Sequence, residues 1–345
     1  MRRIVVTGMG VTTAAEQGVG EFRAALRAGR SGIKPVPASA GLAIDSGALL
    51  TDFSVEEALS QIADLPDALR HRVRNAVRRA PLSVQTSVVS AVEAWQQAQL
   101  PSRKVDTTQI SLVVGGQNLN RGYSYALQKK YQEALEYLPP RYGVHFLDTD
   151  QVGTISELLQ IHGEGLTVGG ASASGNLGLI QGTRMIQWGA AEVCVVVGAM
   201  IDLSPLEVQA FQSLGALGGK TITEADKACR PFDLAREGFI YGQGSGCLIL
   251  ESATSAQRRG VTPLAEVVGY GVNLDGNRLT DPNPVGEVKA MRQALDMAGV
   301  PPDDVEYIST PTVHLQYWAM RQKSQPSKSC LARLHQQSGS IQSRA

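Results

Sequence analysis

At 345 residues, with 43% hydrophobic side chains and 36 glycines, the chain is long enough for two domains or one large duplicated one and suits a well-buried α/β protein. Lysine plus arginine equal aspartate plus glutamate at 32 each, so no global field marks a nucleic-acid or membrane-surface binder, and a charged partner must be met locally. The widely spaced Cys194, Cys229, Cys247 and Cys330 show neither a disulfide framework nor metal-ligand spacing; Cys194 and Cys247 lie in apolar runs, as small buried hydrophobes do. The chain runs from Met1-Arg2-Arg3 straight into an apolar strand, with no membrane span and no cleavage site, so the cytoplasm is the expected location.

In chain order, Ile4 to Thr7 reads as a buried strand that turns at Gly8-Met9-Gly10, and Glu21 to Ala28 as a helix stopped by Gly29. Pro37 to Leu50 is small and flexible in composition. Arg70 to Arg79, with five arginines and a histidine, reads as a basic helix whose face is either solvated or docks an acidic protein. Val84 to Ala98 is helical, and Ile110 to Val114 is a strand ending in Gly115-Gly116. Leu166-Thr167-Val168, the apolar helix after Ser172 and Val193 to Val197 form a strand-helix-strand unit, which predicts a mixed or parallel sheet covered on both faces.

Cys247 to Leu250 is a further strand, and a new unit begins near Pro263 with Leu264 to Tyr270. Val288, Met291, Leu295 and Ala298 mark a helical face ended by Gly299 and Pro301-Pro302, before a predicted strand Val305 to Ile308. From Pro311 onward neither period survives. The expected organisation is residues 1–262, residues 263–310 as the start of a second half, and residues 311–345 as a different, disordered tail.

The strongest chemical constellation is Val168-Gly169-Gly170-Ala171-Ser172-Ala173-Ser174-Gly175-Asn176-Leu177, where a strand delivers small residues to a sharp turn before a helix. A hydroxyl there faces a pocket beside helix N–H groups that can hold an oxyanion or enolate, which makes Ser172 the candidate site residue. The competing role is helix capping by Ser172 or Ser174. A lipase-type elbow requires glycine two positions after the serine, where this chain has Ser174. Gly8-Met9-Gly10 opens like a dinucleotide fingerprint, but Thr13 replaces its third glycine, and a structural turn is expected instead. His71, His145 and His162 have no partner spacing for a metal or a serine relay, so structural or surface roles are expected, and His314 and His335 fall in the irregular tail.

Several separated segments together resemble the β-ketoacyl synthase branch of the thiolase superfamily, from Arg3 through about Thr310. They are Val6-Thr7-Gly8-Met9-Gly10, the Gly169 to Gly175 segment with Ser172 at the cysteine position, Arg230-Pro231-Phe232-Asp233 with Arg236-Glu237-Gly238-Phe239, and Asp304-Val305-Glu306-Tyr307-Ile308. The resemblance implies a thiolase-like layered α/β/α/β/α fold with its second half incomplete. It also implies a homodimer, with a strand corresponding to Val193 to Val197 at the interface. Gly115-Gly116-Gln117-Asn118-Leu119-Asn120 and Tyr241-Gly242-Gln243-Gly244 resemble the serine-bearing malonyl-carrier-protein decarboxylases of polyketide β-branching cassettes.

In that subgroup the substrate rides on the phosphopantetheine arm of an acyl carrier protein, no cofactor is bound, and a hydroxymethylglutaryl-synthase-like enzyme takes the acetyl product. A thiol gives a usable thiolate near neutral pH whereas an alcohol needs a base, so serine disfavours condensation through an acyl-enzyme. Decarboxylation needs only donors for the enolate. The alternatives are a non-catalytic ketosynthase-like partner subunit or remnant and, more weakly, a condensing synthase.

The family's histidine-glycine-threonine motif, later lysine and second histidine have no counterpart, because Pro311-Thr312-Val313 follows the Tyr307-Ile308 segment. Starting at the third base of the Pro311 codon, however, the codons from Thr312 onward are compatible with HGTST(V/I)LGDETE, and Tyr317-Trp318-Ala319 force its leucine and glycine. A frameshift near Thr310 accounts for the departure. Missing strands in the second half should leave apolar surface and unpaired edges.

Overall fold

A computed structural model of the chain describes residues 2–103, 105–219, 224–231, 233–276 and 283–309. Its elements are β1 (Ile4–Thr13), α1 (Val19–Ala28), β2 (Lys34–Pro35), β3 (Ser46–Gly47), α2 (Val55–Ser60), α3 (Asp67–Val77) and α4 (Leu82–Gln97). There follow β4 (Ile110–Gly115), α5 (Arg121–Glu133), α6 (Tyr142–His145), α7 (Asp150–Leu159), β5 (Gly165–Val168), α8 (Ser174–Gln187) and β6 (Val193–Gly198). The remainder comprises α9 (Pro205–Ser213), β7 (Gly244–Ser252), α10 (Ala253–Arg259), β8 (Ala265–Val267) and α11 (Pro284–Ala298).

Six strands form one sheet in the order β5-β4-β6-β7-β1-β8. The pairs β4/β5 and β4/β6 are parallel, and β6/β7, β7/β1 and β1/β8 are antiparallel, so the sheet is mixed. Side chains alternate between its faces. Leu112, Val114, Val195, Val197 and Ile249 meet Val84, Val88, Val92 and Trp95 of α4 on one side. On the other, Val113, Cys194, Val196 and Leu250 meet Met185 and Ile186 of α8. Coverage of both faces explains why β4 and nearly all of β6 are continuous buried runs rather than alternating ones. Burial also raises the pKa of the Cys194 and Cys247 thiols, which keeps both as inert core groups.

The turn expected at Gly8-Met9-Gly10 is absent: β1 runs on to Thr13, with a register shift against β7 between Val6 and Gly8. The glycines serve close packing instead. A Cβ on Gly8 would lie 2.2 Å from the Ala94 carbonyl, and one on Gly10 would lie 1.9 Å from that of Ser90, so α4 rests directly on the strand backbone. The buried Arg259–Glu251 pair, 2.8 Å from Nε to Oε1, fixes the far end of this helix, because Arg259 also donates to the Ala98 carbonyl at 2.8 Å.

Helix α3 is amphipathic, burying Leu69, Val73 and Val77 while its arginines face outward or tie neighbouring segments; Arg70 donates to the Leu59 carbonyl and Arg72 to that of Leu158. Gly29 and Gly299 end α1 and α11 in left-handed geometry, as the sequence predicts.

Three expectations need correction. The segment expected as a strand over Leu264 to Tyr270 keeps only Ala265–Val267, which pairs with β1 and so extends the first sheet. No strand forms over Val305 to Ile308; Tyr307 is 83% exposed, and without a neighbour to complete its ladder an apolar run stays irregular. Finally, β6 cannot be an interface strand, because β4 and β7 occupy both its edges; β5 is the edge strand on that side of the sheet. Leu274, Val285, Tyr307 and Ile308 are exposed apolar side chains of the second-half segment. Residues 311–345, with His314, His335 and Cys330, lie outside the described residues.

Candidate active site

Strand β5 ends at Val168, two glycines follow, and Ala171–Ala173 forms a single 3-10 turn leading into α8. Close approach makes the junction rigid. A Cβ on Gly170 would sit 2.2 Å from Leu177 Cδ1, and one on Gly115, at the end of β4, would sit 2.4 Å from the Ser174 carbonyl. Ala171 takes a left-handed φ of 49°, a conformation that costs a non-glycine residue about 1 kcal/mol and persists only when neighbours enforce it.

Ser174 enforces it. Its buried hydroxyl accepts from Gly170 N at 2.9 Å and donates to the Ala171 carbonyl at 2.8 Å, closing the turn upon itself. The residue flanking α8 is Ala173, with no side-chain cap, so neither Ser172 nor Ser174 caps the helix. Ser172 is exposed, and among the described residues its hydroxyl has no hydrogen-bond partner. The two serines thus divide the work: one builds the turn and the other is presented by it. The first N–H groups of the 14-residue α8 have no intrahelical acceptor and add partial positive charge at this place.

The loop after β4 lies beside the turn. Gly116 N donates to the Val168 carbonyl at 2.9 Å, and a Cβ on Gly169 would fall 2.4 Å from Gln117 Oε1. Asp148 fixes this loop by accepting from Asn118 N at 2.7 Å and Leu119 N at 2.8 Å, while Asn118 takes a left-handed φ of 55°. Asn120 accepts from Ser83 and donates to the His145 carbonyl at 2.7 Å, and the buried His145 Nδ1 pairs with Asp150 Oδ2 at 2.7 Å. Local sequence patterns miss how Asp148 and Asn120 work, because their partners lie far off in the chain; for Gln117 the adjacent Gly169-Gly170 is the sign that something packs there.

Among the described residues no histidine bonds Ser172. His71 bonds Arg74 and Asn75, His162 bonds Thr107, and His145 is taken by Asp150. In the second motif block, Glu237 accepts from Gly219 N at 3.1 Å, Gly238 has φ 145°, and Phe239 packs edge-on against Phe211 at 5.4 Å. Phe232 lies outside the described residues. Gln243 is a structural tie: its Oε1 accepts from Leu50 N at 2.8 Å and its Nε2 donates to Tyr241 Oη at 3.3 Å. A carboxylate could not make the second bond. Among the described residues no cluster of three His, Cys, Asp or Glu could hold a metal, and no helix is long and apolar enough to cross a membrane.

Asp202 is the titratable group that burial disturbs most usefully. It sits under the start of α5, where a Cβ on Gly122 would lie 2.5 Å from Oδ2; desolvation pushes it up to about 6, opposed by a hydrogen bond from Tyr123 N. The nearby Tyr241 is pushed up to about 12, chiefly by burial, with a lesser contribution from Asp202. A carboxyl whose folded pKa lies above its unfolded value contributes stability that is complete below about 3.8 and is lost as pH rises through about 6. Asp202→Asn, which keeps an acceptor for Tyr123 N, should therefore stabilise the chain by about 1–2 kcal/mol at pH 8, after discounting for partial exposure, and by little at pH 4. Urea titrations at the two pH values measure this, and equal wild-type and variant slopes with pH would contradict it.

The match to the β-ketoacyl synthase N-terminal domain covers residues 1–256. The chain belongs to the β-ketoacyl synthase family. The C-terminal domain of that family matches residues 264–312. The polyketide biosynthesis malonyl-ACP decarboxylase PksF of Bacillus subtilis (strain 168) is 37% identical over 310 residues, covering 89% of this chain and 71% of the relative.

Among solved structures, a β-ketoacyl synthase from Burkholderia phymatum STM815 aligns with a TM-score of 0.77 at 25% identity, over 90% of this chain and 74% of the other. The ishigamide ketosynthase/chain length factor aligns with a TM-score of 0.76 at 27% identity, over 92% and 78%. The thiolase-like ketosynthase fold is thereby established, with the described sheet and its two helix layers belonging to it.

Proposed function

We propose that this chain decarboxylates malonyl-carrier protein to acetyl-carrier protein in polyketide β-branching, with Ser172 as the residue at the reacting centre. The observation that carries the proposal is the environment of Ser172: a hydroxyl held on a locked turn at the head of α8, without a hydrogen-bonded base among the described residues. Lacking a base, the alcohol is a poor nucleophile, and an acyl-enzyme is disfavoured. The Ser172 N–H can still donate to an oxygen that gains negative charge.

In the reaction the bond between the carboxylate carbon and the methylene carbon breaks and carbon dioxide leaves. The electron pair enters an enolate whose charge lies on the thioester oxygen, near the Ser172 N–H, and a proton from solvent then adds at carbon. No oxidant and no bound cofactor enter this balance; the phosphopantetheine arm of the carrier protein delivers the substrate. The 37% identical malonyl-ACP decarboxylase of Bacillus subtilis supports the same reaction. The acetyl product suits a hydroxymethylglutaryl-synthase-like enzyme, and a homodimer would join through the β5 edge.

Intact mass spectrometry of malonyl-loaded carrier protein, incubated with the purified chain beside an enzyme-free control, tests the proposal. A loss of 44 Da, the mass of carbon dioxide, in the presence of the chain alone is the expected result; a folded chain that leaves the malonyl carrier unchanged refutes it. That failure would favour a non-catalytic partner subunit, a role supported by the likeness to the ketosynthase/chain length factor pair.

The C-terminal end of helix α3, with the two residues that follow it, is proposed as the face that meets the acidic carrier protein. Arg78 and Arg79 are exposed and have no carboxylate partner among the described residues. Reversing both charges, Arg78→Glu with Arg79→Glu, should raise KM for the carrier protein about tenfold at low salt and by less at high salt, as screening predicts. An unchanged KM would leave α3 as a merely solvated face. The residues after Thr310 are assigned to a shifted reading frame, and a coding sequence that cannot spell HGTST in that frame would remove the assignment.

A further inference from the structure

Between Gly116 and Asn120 the loop carries three amide side chains; one is buried and bonded, and one is exposed to solvent. Asn120 is buried and bonded to Ser83 and to the His145 carbonyl, and Asn118 is exposed on a left-handed turn held by Asp148. Gln117 differs. Its side chain is half-buried, its carboxamide has no hydrogen-bond partner among the described residues, and it lies across Gly169. A Cβ at Gly169 would fall 2.4 Å from Gln117 Oε1 and 3.2 Å from Gln117 Cβ. The missing side chain at 169 therefore makes room for this amide, just as the missing one at 170 makes room for Leu177. Two unpartnered polar side chains, Gln117 and Ser172, consequently flank one stiffened glycine turn.

We propose that Gln117 is a further catalytic residue, its carboxamide N–H donating to the thioester oxygen of the malonyl group on which charge collects as carbon dioxide leaves. This rests on the decarboxylase function proposed above. The residue type fits the chemistry. A cation in this place would bind the departing carboxylate and so stabilise the ground state, whereas a neutral amide gains most when its acceptor becomes an enolate oxygen. The amide also does not titrate, so it keeps its donor at every working pH. Gly116 N on the Val168 carbonyl and Asp148 on Asn118 N and Leu119 N hold the loop backbone on either side, so the donor is positioned before substrate arrives.

The test uses the full chain and its Gln117→Leu and Gln117→Glu variants, with turnover followed on malonyl-loaded carrier protein and folding followed by thermal melting. Gln117→Leu should lower kcat about a hundredfold, the usual loss for one oxyanion donor, with KM within about threefold and an unchanged melting temperature. Gln117→Glu should be equally slow at pH 8 and recover as pH falls toward 5, because protonation restores a donor; a packing role would not follow pH in this way. A wild-type kcat in Gln117→Leu, or a loss that tracks only its melting, overturns the proposal.

A carrier arm bearing a nitronate, a planar anion in place of the enolate, separates this proposal from the reaction itself. Binding at least tenfold weaker to Gln117→Leu supports the contact, and equal binding overturns it, whether or not the wild-type chain turns over. Absence of turnover by the wild type counts against the decarboxylase function alone.

Discussion

Ser174→Ala is expected to cost about 2–4 kcal/mol of stability and at least about a hundredfold in turnover, whereas Ser172→Ala should change stability by less than about 0.5 kcal/mol. The asymmetry follows from where the two hydroxyls point. Ser174 is buried, and its hydroxyl adds two bonds to the turn, one from Gly170 N and one to the Ala171 carbonyl. Its removal forfeits two hydrogen bonds at about 1 kcal/mol each and leaves the Gly170 N–H without a partner, while the Ala171 carbonyl keeps the Ser174 N–H. It also releases Ala171, whose left-handed φ of 49° is not self-supporting, so the Ser172 N–H loses its aim.

Ser172, by contrast, is exposed and bonded to no described residue, so trimming its hydroxyl leaves nothing buried behind. If its backbone N–H rather than its oxygen serves the enolate, Ser172→Ala should keep turnover within about tenfold. Ser172→Cys should gain a covalent acyl adduct from an acetyl thioester, because a thiol near its ordinary pKa provides some thiolate at neutral pH. Denaturant titration and turnover on the same preparations check all three variants. A Ser172→Ala chain destabilised as much as Ser174→Ala would return both serines to purely structural roles.

How much of this was legible beforehand depends on how far apart the cooperating residues lie. The apolar runs of β4, β6 and β7 and the glycines that stop α1 and α11 are local signals, and each was found where the sequence placed it. Strand order is not local. That β6 is interior and β5 an edge follows from which strand each crossover returns to, and no stretch within Val193 to Val197 records it. Val305 to Ile308 has the composition of a strand, but a strand exists only with a neighbour to pair with. The site divides in the same way. The run of small residues announced a turn, yet the division between a serine that builds the turn and one exposed upon it needed the backbone angle of Ala171 and the two bonds of Ser174. Asp148 reaches back 30 residues to hold Asn118 N, a relation without any sequence period.

Gly10→Val is expected to remove at least about 3 kcal/mol, a large share of the stability of an ordinary domain, and to leave little soluble folded chain. The expectation comes from a match between two elements that the sequence shows separately. On β1, Gly8 and Gly10 are two apart and so share a face; on α4, Ser90, Ala94 and Ala98 are four apart and share a stripe. Brought together, they let helix and strand approach until a Cβ at Gly10 would stand 1.9 Å from the Ser90 carbonyl and 2.9 Å from Ala94 N. Both obstacles are backbone, so no side-chain rotation relieves them, and the helix must lift from the sheet.

Lifting it would also strain the buried hydroxyl cluster in which Ser90 Oγ lies 3.1 Å from Thr12 Oγ1 and 3.2 Å from the Ser245 carbonyl, and would thin the larger apolar core beneath α4. The control is Gly153→Ala in α7, where an added Cβ meets nothing within 4 Å, and the expected change is a gain of about 0.5–1 kcal/mol from helix propensity. Denaturant midpoints of the two variants distinguish a glycine required by approach from one that is merely tolerated. A Gly10→Val chain as stable as the wild type would mean that α4 has room to move, and the glycine pair would again need another explanation.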